Sequence, residues 1–362
     1  MPHRSQLTPK ARVETALRGG HADVVPFTVY EYKLTQCALE RELRNRGLCV
    51  VERRAAVYKT RHPNTKVTQQ VYWENDKQFT RTVWETPAGT LTALSEAADF
   101  TSWAHEKMFK TPDDYKAILA LIRDEVYEPC YDEFLRRERE WGDDAMLRAG
   151  LGSEPLQALI SGGVFKMEDF CIEWMDHRDE ILKLYDALVE NRRKVYPLVA
   201  GSPALHANYG GNVVPEIVSP EMFRTYYTPH YDEAAEVMHA HGKLIGSHFD
   251  DDCRHLAEVI GETDLDYIEA FTPAPDTDMT LAEARAAWPD KVLWINFPSS
   301  VHLRSDDRVE AFTVEMLSEL DSVDGLIVGV TEDMPPERHL NSCRAIMDGL
   351  DRHARENPQL YR

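Results

Sequence analysis

At several places along the chain a histidine, carboxylate or amide follows directly on a short apolar run. These places are Tyr30-Glu31, Gly152-Ser153-Glu154 with Arg148 just upstream, His206-Ala207-Asn208-Tyr209, His248-Phe249-Asp250, Glu269, Asn296 and Thr331-Glu332-Asp333. Carboxylates that converge without nearby cations raise one another's pKa or bind a metal. His248, Asp250 and Glu332, with Glu269 as a fourth candidate, make a His/carboxylate set suited to zinc or another divalent metal. Glu31, Glu154, Asn208 and Glu269 are the candidates for catalysis. Arg148, His206, Tyr209 and Asn296 are the candidates for holding substrate. Plainer roles stand beside these. His206 also suits a strand-end cap, and Asp251 and Asp252 suit the N-terminus of a helix beginning at Cys253. Cys253 reads as a small buried apolar residue.

The elements that would position these residues alternate. Thr8 to Leu17 reads as a helix with Thr8 as N-cap and Pro9 in its first turn, and Val24 to Tyr30 as a strand. Lys33 to Arg46 is helical. Lys66 to Ala93 reads as a β-hairpin about Thr86-Pro87-Ala88-Gly89, serving as a lid or a dimer arm. Tyr72, Trp73 and Trp84 on it suit either a core or an aromatic platform. Residues 100–144 read as a helical insertion. From Ala145 onward, strands at Ala145–Leu151, Pro197–Leu205, Lys243–His248, Tyr267–Phe271, Val292–Phe297 and Leu326–Val330 are separated by helices, including a long one over His177–Tyr196. This is the pattern of a parallel sheet with crossover helices. No Gly-x-Gly-x-x-Gly follows any strand, so nothing points to a dinucleotide site. The number of units favours a closed barrel, in which every strand end opens onto one mouth.

The chain has 362 residues, 43% apolar, with a formal net charge of −21. Such a field disfavours nucleic acid and anionic membranes as partners. No apolar run is long enough to span a bilayer and no signal-peptide core precedes Arg18, so a cytoplasmic location is expected. The six cysteines are dispersed without a Cys-x-x-Cys pair, which argues against a disulfide framework and a Cys₄ zinc knuckle.

Thr8-Pro9-Lys10-Ala11-Arg12-Val13, Ala16-Leu17-Arg18-Gly19-Gly20 and Asp23-Val24-Val25-Pro26 resemble the opening of uroporphyrinogen-decarboxylase-like proteins. Ser219-Pro220-Glu221-Met222-Phe223, His239-Ala240-His241-Gly242, Gly246-Ser247-His248-Phe249-Asp250, Leu265–Phe271 and Pro335-Pro336-Glu337 continue the resemblance in order over nearly the whole chain. It implies one distorted (β/α)₈ TIM-barrel domain over 1–362. True decarboxylases of this superfamily carry an Arg-Gln-Ala-Gly-Arg segment after the first strand. This chain has Val29-Tyr30-Glu31-Tyr32-Lys33-Leu34 there, and an acid in place of paired arginines would repel an octa-acid substrate. The chain is closer to the cobamide-dependent methyltransferases, whose zinc site is written His-x-Cys with a further Cys after the last strand. His248-Phe249-Asp250 and Thr331-Glu332 stand at those places, so carboxylates replace the thiolates. That donor set suits a metal that polarises oxygen rather than one that activates a thiol.

The resemblance therefore implies methyl transfer from a methoxylated or related small molecule to a corrinoid. The chain lacks an Asp-x-His-x-x-Gly segment, so a partner protein would carry the corrinoid. Two alternatives stay open. One is a decarboxylase or lyase that uses the same mouth without corrinoid, with Arg148 as carboxylate anchor. The other is a non-catalytic binding barrel. A homodimer is the commonest assembly for such a chain.

Overall fold

Short runs of β-branched and aromatic residues, buried on both faces, form parallel strands here. The computed structural model describes residues 7–98, 101–332 and 334–361. Phe100 and Asp333 lie outside them. The chain folds into two compact units. One comprises Met1–Val57, Tyr131–Gly150 and Ser202–Arg362, the other Tyr58–Cys130 and Leu151–Gly201.

The first unit holds a parallel sheet of nine segments. In sequence these are Phe27–Tyr30, Cys49–Glu52, Ala145–Leu147, Ala149–Gly150, His206–Asn208, Leu244–His248, Tyr267–Phe271, Val292–Asn296 and Leu326–Val330. Ala145–Leu147 pairs with Cys49–Glu52, and Ala149–Gly150 pairs with His206–Asn208. Only Arg148 separates these two segments, so the sheet's two ends are consecutive pieces of one strand. Counted as one, they leave the eight strands of an α/β barrel, and Phe27–Tyr30 pairs with the last strand in a continuous parallel order. Tyr30, Val51, Met146, Tyr267, Trp294 and Ile327 pack in one buried cluster. Helices follow the strands, among them Ala38–Arg46, Tyr131–Trp141, Thr228–Ala240, Leu281–Ala287, Asp306–Leu317 and Pro336–Glu356. Thr8 caps the opening helix Pro9–Leu17 by accepting from the Ala11 N–H.

Close approach fixes a glycine within the strand Leu244–His248. A Cβ on Gly246 would lie 2.3 Å from the Tyr267 ring and 2.5 Å from its carbonyl oxygen. Backbone cannot yield as a flexible side chain can, so Gly246→Ala is expected to cost about 3 kcal/mol in urea unfolding.

The second unit is built on a four-stranded antiparallel sheet: Lys66–Glu74, Lys77–Thr86, Gly89–Ala98 and Thr101–Glu106. The hairpin expected over 66–93 thus takes in the first two strands and part of the third of a four-stranded meander. Its first turn, Asn75-Asp76, holds φ of 49° and 60°, the conformation of a tight two-residue connection. The 100–144 segment is not wholly helical. It carries the strands Thr101–Glu106 and Val126–Pro129 beside the helices Tyr115–Arg123 and Tyr131–Trp141, and the second strand pairs with Tyr58–Arg61. The strand expected over Pro197–Leu205 starts later, at His206, because the helix Arg178–Ala200 continues through Pro197. Val195, Tyr196, Val199 and Ala200 are all buried there, and that burial offsets the hydrogen bond lost at proline. Phe109, Tyr115 and Phe165 form this unit's aromatic core, with Phe109 and Phe165 ring centroids 4.6 Å apart. No helix among the described residues is long and apolar enough to cross a membrane.

Candidate functional site

Glu269 is the centre of the site. It is fully buried in the strand Tyr267–Phe271, where an unpaired carboxylate would be prohibitive. Each of its oxygens is therefore engaged. Oε1 accepts from the Tyr30 hydroxyl and makes a 2.8 Å ion pair with Arg148 Nη1. Oε2 accepts from Asn208 Nδ2 at 3.1 Å and contacts His248 Nδ1 at 2.6 Å. Burial would raise this carboxyl, but Arg148, His248 and the hydrogen bond from Tyr30 outweigh it. The group is held well below the usual carboxylate range. Burial and the Glu269 carboxylate together push the Tyr30 hydroxyl well up, so Tyr30 stays a hydrogen-bond donor. The backbone is specialised at the same point. Ala270 has φ of 60° and the register with Val292–Asn296 shifts between Glu269 and Phe271. A bulge of this kind re-aims side chains, and a non-glycine residue in the left-handed region costs of order 1–3 kcal/mol.

His248 ends its strand at the barrel mouth. With Nδ1 on Glu269, its Nε2 faces Asp250 Oδ2 at 3.3 Å. Burial disfavours the imidazolium, but Glu269 and Asp250 outweigh it and push the His248 pKa up to about 10. Glu332 completes a group in which one ligand atom from each of His248, Asp250 and Glu332 lies within 4.8 Å of the others. Asn212 Nδ2 donates to Asp250 Oδ2 at 3.2 Å. Asn296 Oδ1 accepts from the Thr331 N–H at 2.9 Å and the Glu332 N–H at 3.4 Å. The donor set fits a divalent metal on two counts. It offers two carboxylates and one imidazole nitrogen, whose proton a metal would displace on binding, at one point. Its histidine is also oriented by a buried carboxylate on the other ring nitrogen, the usual outer support of a metal-bound imidazole.

The other candidates lie at varying remove. His206 is fully buried and reaches the cluster through Tyr267, whose hydroxyl lies 3.0 Å from His206 Nδ1 and donates to Asn208 Oδ1 at 2.6 Å. Burial, with Arg148 nearby, lowers the His206 pKa to about 3, so this imidazole is neutral. Glu31 is buried beside Arg53 at 3.3 Å and Arg54 at 3.7 Å. Tyr209 packs its ring edge-on against Tyr231 of Thr228–Ala240. Glu154 belongs to the second unit, buried just before the helix Pro155–Ile160.

Sequence reasoning missed the strand Cys49–Glu52 and with it Arg53, whose guanidinium lies 3.4 Å over the Tyr30 ring. The apolar run Leu48–Val51 after Gly47 was the available signal. It also missed Tyr30 and Tyr267 as hydrogen-bond donors and the loop Gly210-Gly211-Asn212.

Glu52, at the end of that same strand, gives a pH test of the barrel. It is fully buried. Burial would raise its carboxyl, but Arg54, Trp141 and Arg137 donate to it and hold it at about 2. A folded pKa below the unfolded value near 4.5 contributes stability that is whole above that value and is lost as pH falls through about 2. Glu52→Gln should therefore cost about 2–3 kcal/mol at neutral pH and flatten the acid limb of a stability–pH curve measured by urea unfolding.

A scan against protein-family models and a search of curated proteins each find no match. Among solved structures, a methyltransferase from Methanosarcina mazei superimposes with a TM-score of 0.55 at 11% identity, covering 96% of this chain and 99% of that one. The likeness is one of fold: this chain has the architecture of that methyltransferase along nearly its whole length.

Proposed function

We propose that this chain is a metal-assisted methyltransferase that moves a methyl group from a methoxylated small molecule to a corrinoid carried by a partner protein. The observation that carries the reading is the His248, Asp250 and Glu332 set at the barrel mouth, with His248 oriented by buried Glu269. The fold shared with a methyltransferase supports it. A bound divalent metal, zinc foremost, supplies Lewis acidity that favours departure of an oxygen leaving group. The chain's own residues do the rest. Glu269 fixes the His248 ring, Asn212 steadies Asp250, and Asn296 holds the backbone that presents Glu332. The substrate oxygen keeps the electron pair of its bond to methyl and is protonated from water after release, while the methyl is taken by the reduced corrinoid. A cytoplasmic location belongs to this proposal.

A carboxylate-anchoring decarboxylase is less well supported, because Arg148 is already paired with Glu269. The test is incubation of the protein with zinc, a reduced corrinoid and a panel of methoxylated aromatic compounds. The expected result is stoichiometric methylcobamide and demethylated product, abolished by a chelator and restored by zinc. Turnover that ignores the chelator, or release of carbon dioxide without any corrinoid, would contradict the reading.

A further inference from the structure

The strand Lys66–Glu74 is an edge of the four-stranded sheet and, among the described residues, pairs along its whole length on one side only, with Lys77–Thr86. Edge strands are open templates for another chain, and proteins usually blunt them with charge, proline or bulges. Val67 through Trp73 contains neither charge nor proline, in a chain that is 28% charged, and its register runs unbroken. Val67, Val71 and Trp73 are 46%, 57% and 69% exposed.

The hairpin turn decides which backbone groups face the open side. Glu74 and Lys77 flank the two-residue turn Asn75-Asp76. Such a turn closes on a hydrogen-bonded pair, and every second residue repeats that role. The even-numbered residues from Lys66 to Glu74 therefore direct their N–H and C=O groups to Lys77–Thr86. Val67, Gln69, Val71 and Trp73 direct theirs to the open edge.

Set antiparallel to itself, this segment is complementary about Gln70. Lys66 meets Glu74, Val67 meets Trp73, Gln69 meets Val71, and Gln70 meets its own copy. This register alone employs all four outward residues of each strand. A shift of two residues either way sets Lys66 against Tyr72 or Glu74 against Thr68 and loses the charge pairs. We propose that two copies of this chain dimerise by antiparallel pairing of Lys66–Glu74 about a two-fold axis at Gln70, joining two four-stranded sheets into one. The occupant is a second copy because the match of charged ends and apolar flanks is with the segment itself, as an isologous interface requires. The inference rests on this sheet alone and is independent of the methyl-transfer reading.

Sedimentation velocity of the full chain over a concentration series tests it. The wild type should be a dimer. Val71→Pro removes an outward N–H without touching the internal ladder and should weaken the dimer at least about tenfold, as should Lys66→Glu or Glu74→Lys alone. The double variant Lys66→Glu/Glu74→Lys should recover it. Gln70→Cys, facing its copy across the axis, should oxidise to a covalent dimer, whereas Thr68→Cys and the wild type with its exposed Cys37 and Cys171 should not. A wild type that stays monomeric throughout, or a dimer indifferent to both Val71→Pro and Glu74→Lys, would overturn the proposal.

Discussion

Glu269→Gln is expected to weaken divalent-metal binding by about 10- to 100-fold, the range seen when an outer partner of a metal-bound histidine is lost. The substitution keeps the volume and removes the charge. It also replaces one acceptor oxygen by an NH₂ group. Oε1 faces Tyr30 and Arg148, and Oε2 faces Asn208 and His248. Whichever way the amide turns, it opposes donors. Arg148 is left as a buried cation without its counter-charge, a loss of about 3–5 kcal/mol when one member of a buried pair is removed. Zinc titration by calorimetry and urea unfolding read the two effects separately. Unchanged zinc affinity in a folded variant would show that Glu269 supports the barrel and not the site.

The second large effect is expected at Gly211, which donates no side chain to the site. Its φ is +128°, and a Cβ there would lie 2.4 Å from His248 Cβ and 3.1 Å from the His248 carbonyl oxygen. The loop it belongs to is tied to the same strand, with the Asn212 N–H donating to the His248 carbonyl at 3.1 Å. Gly211→Ala must displace His248 or the loop that steadies Asp250. A misplacement of about 1 Å in a catalytic constellation costs of order 100-fold in rate. Methyl transfer should therefore fall by about that factor, with far-UV circular dichroism unchanged. Near-wild-type turnover would mean that the reacting groups tolerate movement of His248.

Much of the barrel was readable from the sequence because its strands are buried on both faces. Tyr267–Phe271 and Leu326–Val330 stand out as apolar runs between helices, and their bounds agree with the sequence reading to the residue. Cys49–Glu52 was passed over because it is only four residues long and follows its helix after a single glycine turn. The metal-candidate residues were also legible, since His248 ends a strand and Asp250 and Glu332 each lie two residues past one. Their support was not. Arg148 interrupts a strand rather than ending one, and its pairing with Glu269 depends on register between elements far apart in sequence. The bulge at Ala270 carries no glycine to announce it. Tyr267 looks like an ordinary core aromatic until its hydroxyl is found on Asn208. The second unit was the least legible, because Asn75-Asp76 is a weaker turn signal than the Pro-Ala-Gly that follows it.

A metal centre at the barrel mouth stands or falls on the metal content of the purified protein. Elemental analysis of the wild type after zinc loading and desalting should find about one zinc per chain, and His248→Ala treated identically should retain almost none. No zinc in the wild type, or equal zinc in both proteins, would contradict a metal centre at His248, Asp250 and Glu332.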